Sequence, residues 1–287
     1  SRPNAFASDT PFFFSGPITR TVEDAALALN ALAGYHPRDP YSIDDDTDFL
    51  PAVRGSIRDW KIAYSPNLDV FPVDPQVSKV IETQVKAFEE EGANIEEVKI
   101  GIGRPQQELS DLWCRLIIPR NITTLDAAKV SGPDLLGEHL HDFPAEYLRW
   151  IEVGQRLSAV DFYKDQEIRT EIYDAIQSVL NDYDLLVTPT LACLPVDNSN
   201  DGNTLGPSEI NGEPVDPLIG WCLTYLINFT GHPAASIPAG LSEDGLPVGM
   251  QIIGRRYADA DVLAASAAFE RLRPWQESYR QCAERVL

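Results

Sequence analysis

The chain has one methionine, Met250, few lysines, and four histidines. No apolar run reaches the roughly 18 residues that a membrane span needs, so no membrane partner is expected. No charged-then-apolar leader opens the sequence, and the expectation is a soluble protein of the cytoplasm. Cys114, Cys193, Cys222 and Cys282 are scattered, without a CxxC pair or a histidine at metal-ligand spacing. That pattern excludes the common zinc frameworks and leaves free thiols. Lysine occurs only at positions 61, 79, 86, 99, 129 and 164, and the formal net charge is −21. A surface so poor in cations cannot neutralise phosphates, which excludes nucleic acid as a direct partner. Acidic runs such as 44–48, DDDTD, fit an ordinary acidic enzyme or a salt-adapted protein whose charges are screened.

Familiar catalytic motifs are also missing. There is no GxSxG elbow and no Walker loop, and 101–107, GIGRPQQ, lacks the last glycine of a dinucleotide fingerprint. His139 and His141 stand two apart without a third ligand and read as surface or packing residues. His232, in TGHPA, reads as a hydrogen-bonded loop histidine rather than a general base. Neither a metal nor a cofactor is implied. No serine, cysteine or lysine stands in a self-sufficient constellation, so no catalytic residue is assigned.

What is present is an α/β pattern with enough apolar residues, 44%, for a substantial core. Residues 1–17 read as an extended segment. Thr21 is a candidate N-cap for an Ala/Leu-rich helix ended by Gly34, with Arg20 and Asp24 placed to pair one turn apart. Residues 60–66 read as a buried strand, 75–92 as a helix opened by Asp74-Pro75, and 93–100 as a second strand, giving a right-handed crossover. Residues 104–180 are helical, with breaks near Ser131-Gly132-Pro133 and Phe143-Pro144 and a long helix from Ala159. Residues 183–190, YDLLVTPT, form a buried strand, 195–217 a surface loop, and 221–231 an apolar helix end. AASIPAG and LPVGMQIIG are strands joined by a turn at Asp244-Gly245, and a last amphipathic helix is capped by Asp259.

Three stretches in order carry a resemblance. Gly16–Pro40, GPITRTVEDAALALNALAGYHPRDP, then YDLLVTPT, then NFTGHPAASIPAGLSEDGLPVGMQIIG, resemble blocks of the amidase signature family. The resemblance covers the chain, weakly over 104–180. It implies an α/β fold, a mixed β-sheet flanked by helices on both faces. It also implies cleavage of a carboxamide C–N bond through a serine acyl-enzyme, with a lysine and two serines as the catalytic set and backbone N–H groups as the oxyanion hole. The Gly/Ser-rich signature that carries those groups does not occur in 1–287. The expectation is therefore the C-terminal portion of a single amidase domain, with 104–180 as a helical insertion or cover.

The implied ligand is a small-molecule amide, and the implied partner is a missing N-terminal segment of the same polypeptide. A homodimer is left open, because a sheet edge without its neighbour recruits other chains. On this comparison Thr188, Thr190 and Cys193 at the strand end, and Asn228 and Gly231 in the following turn, would face the substrate. Each also has a plain structural reading, since Pro189 can simply end a strand and Asn228 can cap a helix. Trp113 and Trp221 are candidate pocket walls, with core packing as the alternative. The glycines at 245, 249 and 254 suit turns and close packing, not phosphate binding. Two further functions stay open: the A component of a glutamine amidotransferase, which releases ammonia for tRNA-dependent amidation, and a non-catalytic binding or scaffold module.

Overall fold

The computed structural model describes residues 14–200 and 202–283, so most of the expected extended segment at 1–17 lies outside the described residues. Thr21 does cap the first helix, α1 (Val22–Leu32): its Oγ1 accepts the Asp24 N–H at 3.1 Å, and Glu23 and Asp24 complement the positive helix end. Asp24 does not pair with Arg20. The Arg20 guanidinium lies over the Tyr279 ring, 5.7 Å from its centroid, and the Arg20 carbonyl accepts Trp275 Nε1–H at 3.0 Å. An aromatic face on the last helix holds this arginine where an i, i+4 pair was expected.

Strand β1 (Lys61–Tyr64), helix α2 (Pro75–Val85) and strand β2 (Asn94–Glu97) form the expected crossover, with β1 and β2 parallel. Asp74 caps α2 by accepting Gln76 N–H at 2.7 Å. The α-helix ends earlier than its periodicity suggests, and Lys86–Glu91 continues as a 3-10 turn that brings Phe88 against Phe269, ring centroids 5.6 Å apart. The region expected to be helical holds α3 (Gln106–Ala128), α4 (Ala145–Arg156) and α5 (Ala159–Asp182). Cys114 and Ile118 of α3 and Trp150 and Ile151 of α4 make a small separate core.

Strand β3 (Leu185–Pro189) is buried at every residue. It lies parallel to β1 on one side and antiparallel to β7 (Pro247–Gly254) on the other. A strand covered on both faces needs no polar alternation, which is why LLVTP reads as one apolar run. Strand β6 (Ala234–Leu241) pairs with β7, giving a five-stranded mixed sheet in the order β2-β1-β3-β7-β6. Crossovers of one hand running in opposite directions put α2 and α5 on opposite faces. Helix α7 (Asp259–Leu272) joins α2 against β6 and β7, with α1 outside it. The last described element is α8 (Gln276–Ala283).

Two local expectations are corrected. The 195–217 segment is not wholly irregular: β4 (Glu209–Ile210) and β5 (Glu213–Pro214) form a small hairpin. Its turn residues Asn211 and Gly212 both have positive φ, 51° and 82°, as a two-residue hairpin turn requires. Asp259 does not cap α7 either. Ala258 occupies the cap position without a side-chain bond, and Asp259 is the first helical residue, its carboxyl raised above the usual range by burial. Among the described residues no helix is long and apolar enough to cross a membrane.

Candidate functional site

The end of β3 is built by cross-strand and long-range contacts. Thr188 and Thr190 share one sheet face by the two-residue period of a strand. Thr188 is 0% exposed: its Oγ1 donates to Pro189 O at 2.9 Å and accepts Gln251 Nε2–H at 3.1 Å. It supports the sheet from within. Thr190 is only half-buried, and its Oγ1 meets Ser236 Oγ of β6 at 2.8 Å. A Cβ at Gly249 would sit 2.9 Å from that hydroxyl, so glycine is what lets Thr190 lie across β7 to reach β6.

Beyond Pro189 the backbone stays ordered. Ala192 N–H donates to Trp221 O at 2.8 Å and Leu223 N–H to Thr190 O at 3.3 Å, which docks the strand exit on the segment leading into α6 (Thr224–Thr230). Cys193 is half-buried there. Burial raises its thiol to about 11 and that of Cys222 to about 12, so both stay protonated and unreactive near neutral pH. Trp221 is held by its indole N–H, which donates to Pro217 O at 3.0 Å, and Gly206 packs directly on its ring. It wedges the loop at 204–221 rather than lining an open wall.

An aromatic cluster backs α6. Trp113 of α3 lies 5.9 Å from Tyr225 and 6.0 Å from Phe229 by ring centroids, and Phe71 meets Tyr225 edge-on at 5.8 Å. Such offset and edge contacts lock the rings beyond simple area burial. The Tyr225 hydroxyl, pushed up in pKa by burial, reaches Ser110 Oγ at 3.3 Å, and Ser110 in turn accepts Gln106 Nε2–H at 2.8 Å. This chain of bonds satisfies polar atoms inside an otherwise apolar layer.

The turn after α6 is tied down by several contacts. Gly231 has φ 64° and its N–H donates to Ile227 O at 3.0 Å, closing the helix in the left-handed conformation that glycine accepts at little cost. His232 is stacked on Tyr173, centroids 5.5 Å apart, with Nδ1 2.8 Å from Thr230 Oγ1 and Nε2 3.1 Å from Gln177 Oε1. Since Gln177 Oε1 can only accept, Nε2 carries the proton and Nδ1 accepts from Thr230. Desolvation first, then the Arg256 charge, lowers its pKa to about 4. His232 is thus a neutral, fully bonded histidine, as the sequence suggested.

The expected site residues therefore separate. Thr190 and Cys193 stand at the strand exit, Asn228 and Gly231 on α6 and its turn, and Trp113 behind α6. Thr188 is withdrawn into the sheet. Sequence reasoning missed Ser236, Tyr225 and Phe229. Ser236 could have been found by pairing the two hairpin strands, because the register Ser236↔Gln251↔Thr188 puts it in one row with Thr188. The lysines with resolved partners meet carboxylates: Lys79 with Glu243 at 2.6 Å, Lys86 with Glu82 at 3.9 Å, and Lys129 with Asp126. Among the described residues no group of three or more His, Cys, Asp or Glu could hold a metal ion. The arrangement is a largely buried aromatic cluster behind α6, with the Thr190 and Ser236 hydroxyls at the end of β3.

Comparison with known proteins agrees with the block pattern. A family model described as Amidase matches residues 10–263. The chain is 36% identical over 268 residues to an acylamidase of Rhodococcus erythropolis, covering 92% of this chain and 53% of that relative. It is 29% identical to the A component of the glutamyl-tRNA(Gln) amidotransferase of Thermodesulfovibrio yellowstonii, covering 91% of this chain and 55% of the relative. Among solved structures, a bacterial aryl acylamidase of the amidase signature enzymes superposes with a TM-score of 0.95 at 49% identity, over 100% of this chain and 58% of that one. The chain spans about half the length of the curated relatives it matches.

Proposed function

This chain belongs to the amidase signature family, and from that premise we propose that it forms the aromatic-walled side of an aryl-amide hydrolase. The reaction is cleavage of a carboxamide C–N bond through a serine acyl-enzyme. The lysine and serines of that step stand outside residues 1–287. Thr190, Cys193, Asn228 and Gly231 line the substrate side, Trp113, Tyr225 and Phe229 stiffen it from behind, and α3 to α5 act as cover. The remaining part of the relatives' length adds to the sheet at an edge, and β2 and β6 are the strands whose outer edges have no neighbour among the described strands.

The observation that carries the aryl reading is the Trp113–Tyr225–Phe229 cluster behind α6, in a chain that matches a bacterial aryl acylamidase over 100% of this chain and 58% of that one. Tyr225 and Phe229 are buried, so Trp113, the half-buried ring of the three, is the one a flat apolar leaving group would meet, and losing one large apolar contact typically costs about tenfold in kcat/KM. In the full-length protein, Trp113→Ala is expected to lower kcat/KM for an acyl anilide about tenfold while changing a short aliphatic amide by less than threefold. Equal losses on both substrates would refute the aryl assignment, and a wild-type protein that hydrolyses neither would refute amide hydrolysis. The amidotransferase reading is favoured by one observation, the 29% identity to the A component of a glutamyl-tRNA(Gln) amidotransferase. Glutaminase activity that appears only with a partner protein present would decide for it.

A further inference from the structure

Helix α6 has only seven residues and no acidic residue in its first turn, so it cannot hold its place by intrinsic stability. Its C-terminal carbonyls are nevertheless well supplied with donors. Arg169, from α5, donates Nε–H and Nη2–H to Phe229 O at 3.2 and 2.9 Å. Arg256, from the loop between β7 and α7, donates Nη1–H to Gly231 O and approaches Thr230 O at 3.5 Å. Two guanidinium groups from elements on either side of the turn thus converge on the negative end of one short helix, where cations are favoured.

The Arg256 side is itself braced. Its guanidinium stacks on the Tyr257 ring, 4.7 Å from the centroid, and Nη2–H donates to the Tyr257 hydroxyl at 3.2 Å. Tyr257 has φ 63°, an unfavourable conformation for a bulky residue that persists only where the surroundings enforce it. A Cβ on Gly231 would lie 2.5 Å from Arg256 Nη1, so the guanidinium sits flush against the turn and glycine admits it.

We infer that Arg169 and Arg256 are positioning residues that clamp the C-terminal turn of α6 and so set where Asn228 and Gly231 stand relative to a bound amide. This rests on the reading of α6 as a pocket wall. In this reading each arginine acts through the backbone carbonyls of the turn. The clamp should therefore govern substrate affinity more than turnover.

Arg256→Ala and Arg256→Lys test this in the full-length protein, with acyl anilide kinetics and amide hydrogen exchange read on the same samples. Arg256→Ala is expected to raise KM about tenfold with kcat within threefold, the scale of losing one charge-assisted hydrogen bond. Arg256→Lys keeps one donor and should recover part of the loss. Exchange at 224–231 should quicken about tenfold in Arg256→Ala while the sheet strands stay protected. If Arg256→Ala fails to fold, Arg256→Lys still carries the test, with an increase in KM of about threefold expected. Unchanged KM in a folded variant, or unchanged protection of α6, overturns the clamp. Should the wild type hydrolyse no amide, the exchange result alone decides the clamp, and the kinetic failure falls on the proposed function.

Discussion

Arg115→Ala is expected to lower the unfolding free energy by about 3 kcal/mol, because it strands a carboxylate with almost no access to water. Asp165 of α5 is 5% exposed, and Arg115 of α3 grips it with Nε–H 3.1 and 3.0 Å from the two carboxylate oxygens and Nη2–H at 2.8 Å. The location adds to the cost. Pro119 lies inside α3 four residues after Arg115, where its ring removes the N–H that the Arg115 carbonyl would otherwise accept. The helix is thus weakest at the turn that the arginine pins to α5. Arg115→Lys should recover only part of the loss, since an ammonium cannot match both carboxylate oxygens. Replacing both partners by apolar residues should cost much less than either single truncation. Urea denaturation at pH 7 reads these differences directly. A change below about 0.5 kcal/mol for Arg115→Ala would mean that the pair carries no structural weight.

Acidification should destabilise the protein through His232. Its folded-state pKa is lowered to about 4 from 6.5, so the unfolded chain takes up a proton over a range where the folded one does not. Above pH 6.5 both states are neutral at this residue and nothing is lost. As pH falls from 6.5 towards 4, stability drops, and below 4 the loss levels off. At pH 4.5 the lowered value corresponds to a loss of stability on the order of 2–3 kcal/mol by proton linkage. Carboxylates also titrate as pH falls, so the measurement is a difference between wild type and His232→Gln. Between pH 7 and pH 4.5 the variant should lose less stability than the wild type, by an amount on the order of 2–3 kcal/mol. Equal losses would show that His232 is not held neutral by its burial and by the Arg256 charge. The effect matters for function because protonation would place a second cation beside the Arg256 clamp and the Gly231 turn.

Much of the scaffold was legible in the sequence because it is locally encoded. Thr21 before an Ala/Leu stripe, Asp74-Pro75 before a 3.6-residue period, and Asp244-Gly245 between two apolar strands are short-range signals, and each element formed where they put it. Asn211-Gly212 was as clear a turn signal, but its strands are two residues long and disappear in a Pro-rich loop. Lys86 and Asp259 escaped for another reason. The switch to a 3-10 turn at Lys86 accompanies the packing of Phe88 on Phe269, and the start of α7 follows the strained turn at Tyr257. Both depend on distant contacts.

The candidate site was less legible than the frame around it. The two-residue period put Thr188 and Thr190 on one face, yet nothing local shows that Gln251, 63 residues away, fills the space over Thr188. Arg115 with Asp165 and Arg169 with Phe229 are separated by 50 and 60 residues. No periodicity links such partners, and a salt bridge or a capped carbonyl leaves no pattern in composition. What the sequence showed at the site was which residue types gather at a strand end. Which of them stay accessible there is decided by the packing of α5, α6 and β7.

The most direct test is to label the full-length protein with a fluorophosphonate, which captures an activated serine, and to map the modified residue by mass spectrometry. The labelled serine is expected outside residues 1–287, and the 287-residue chain by itself should take no label. Labelling of a serine within the chain, such as Ser236 of β6 beside Thr190, would contradict the assignment of these residues to the wall of the pocket.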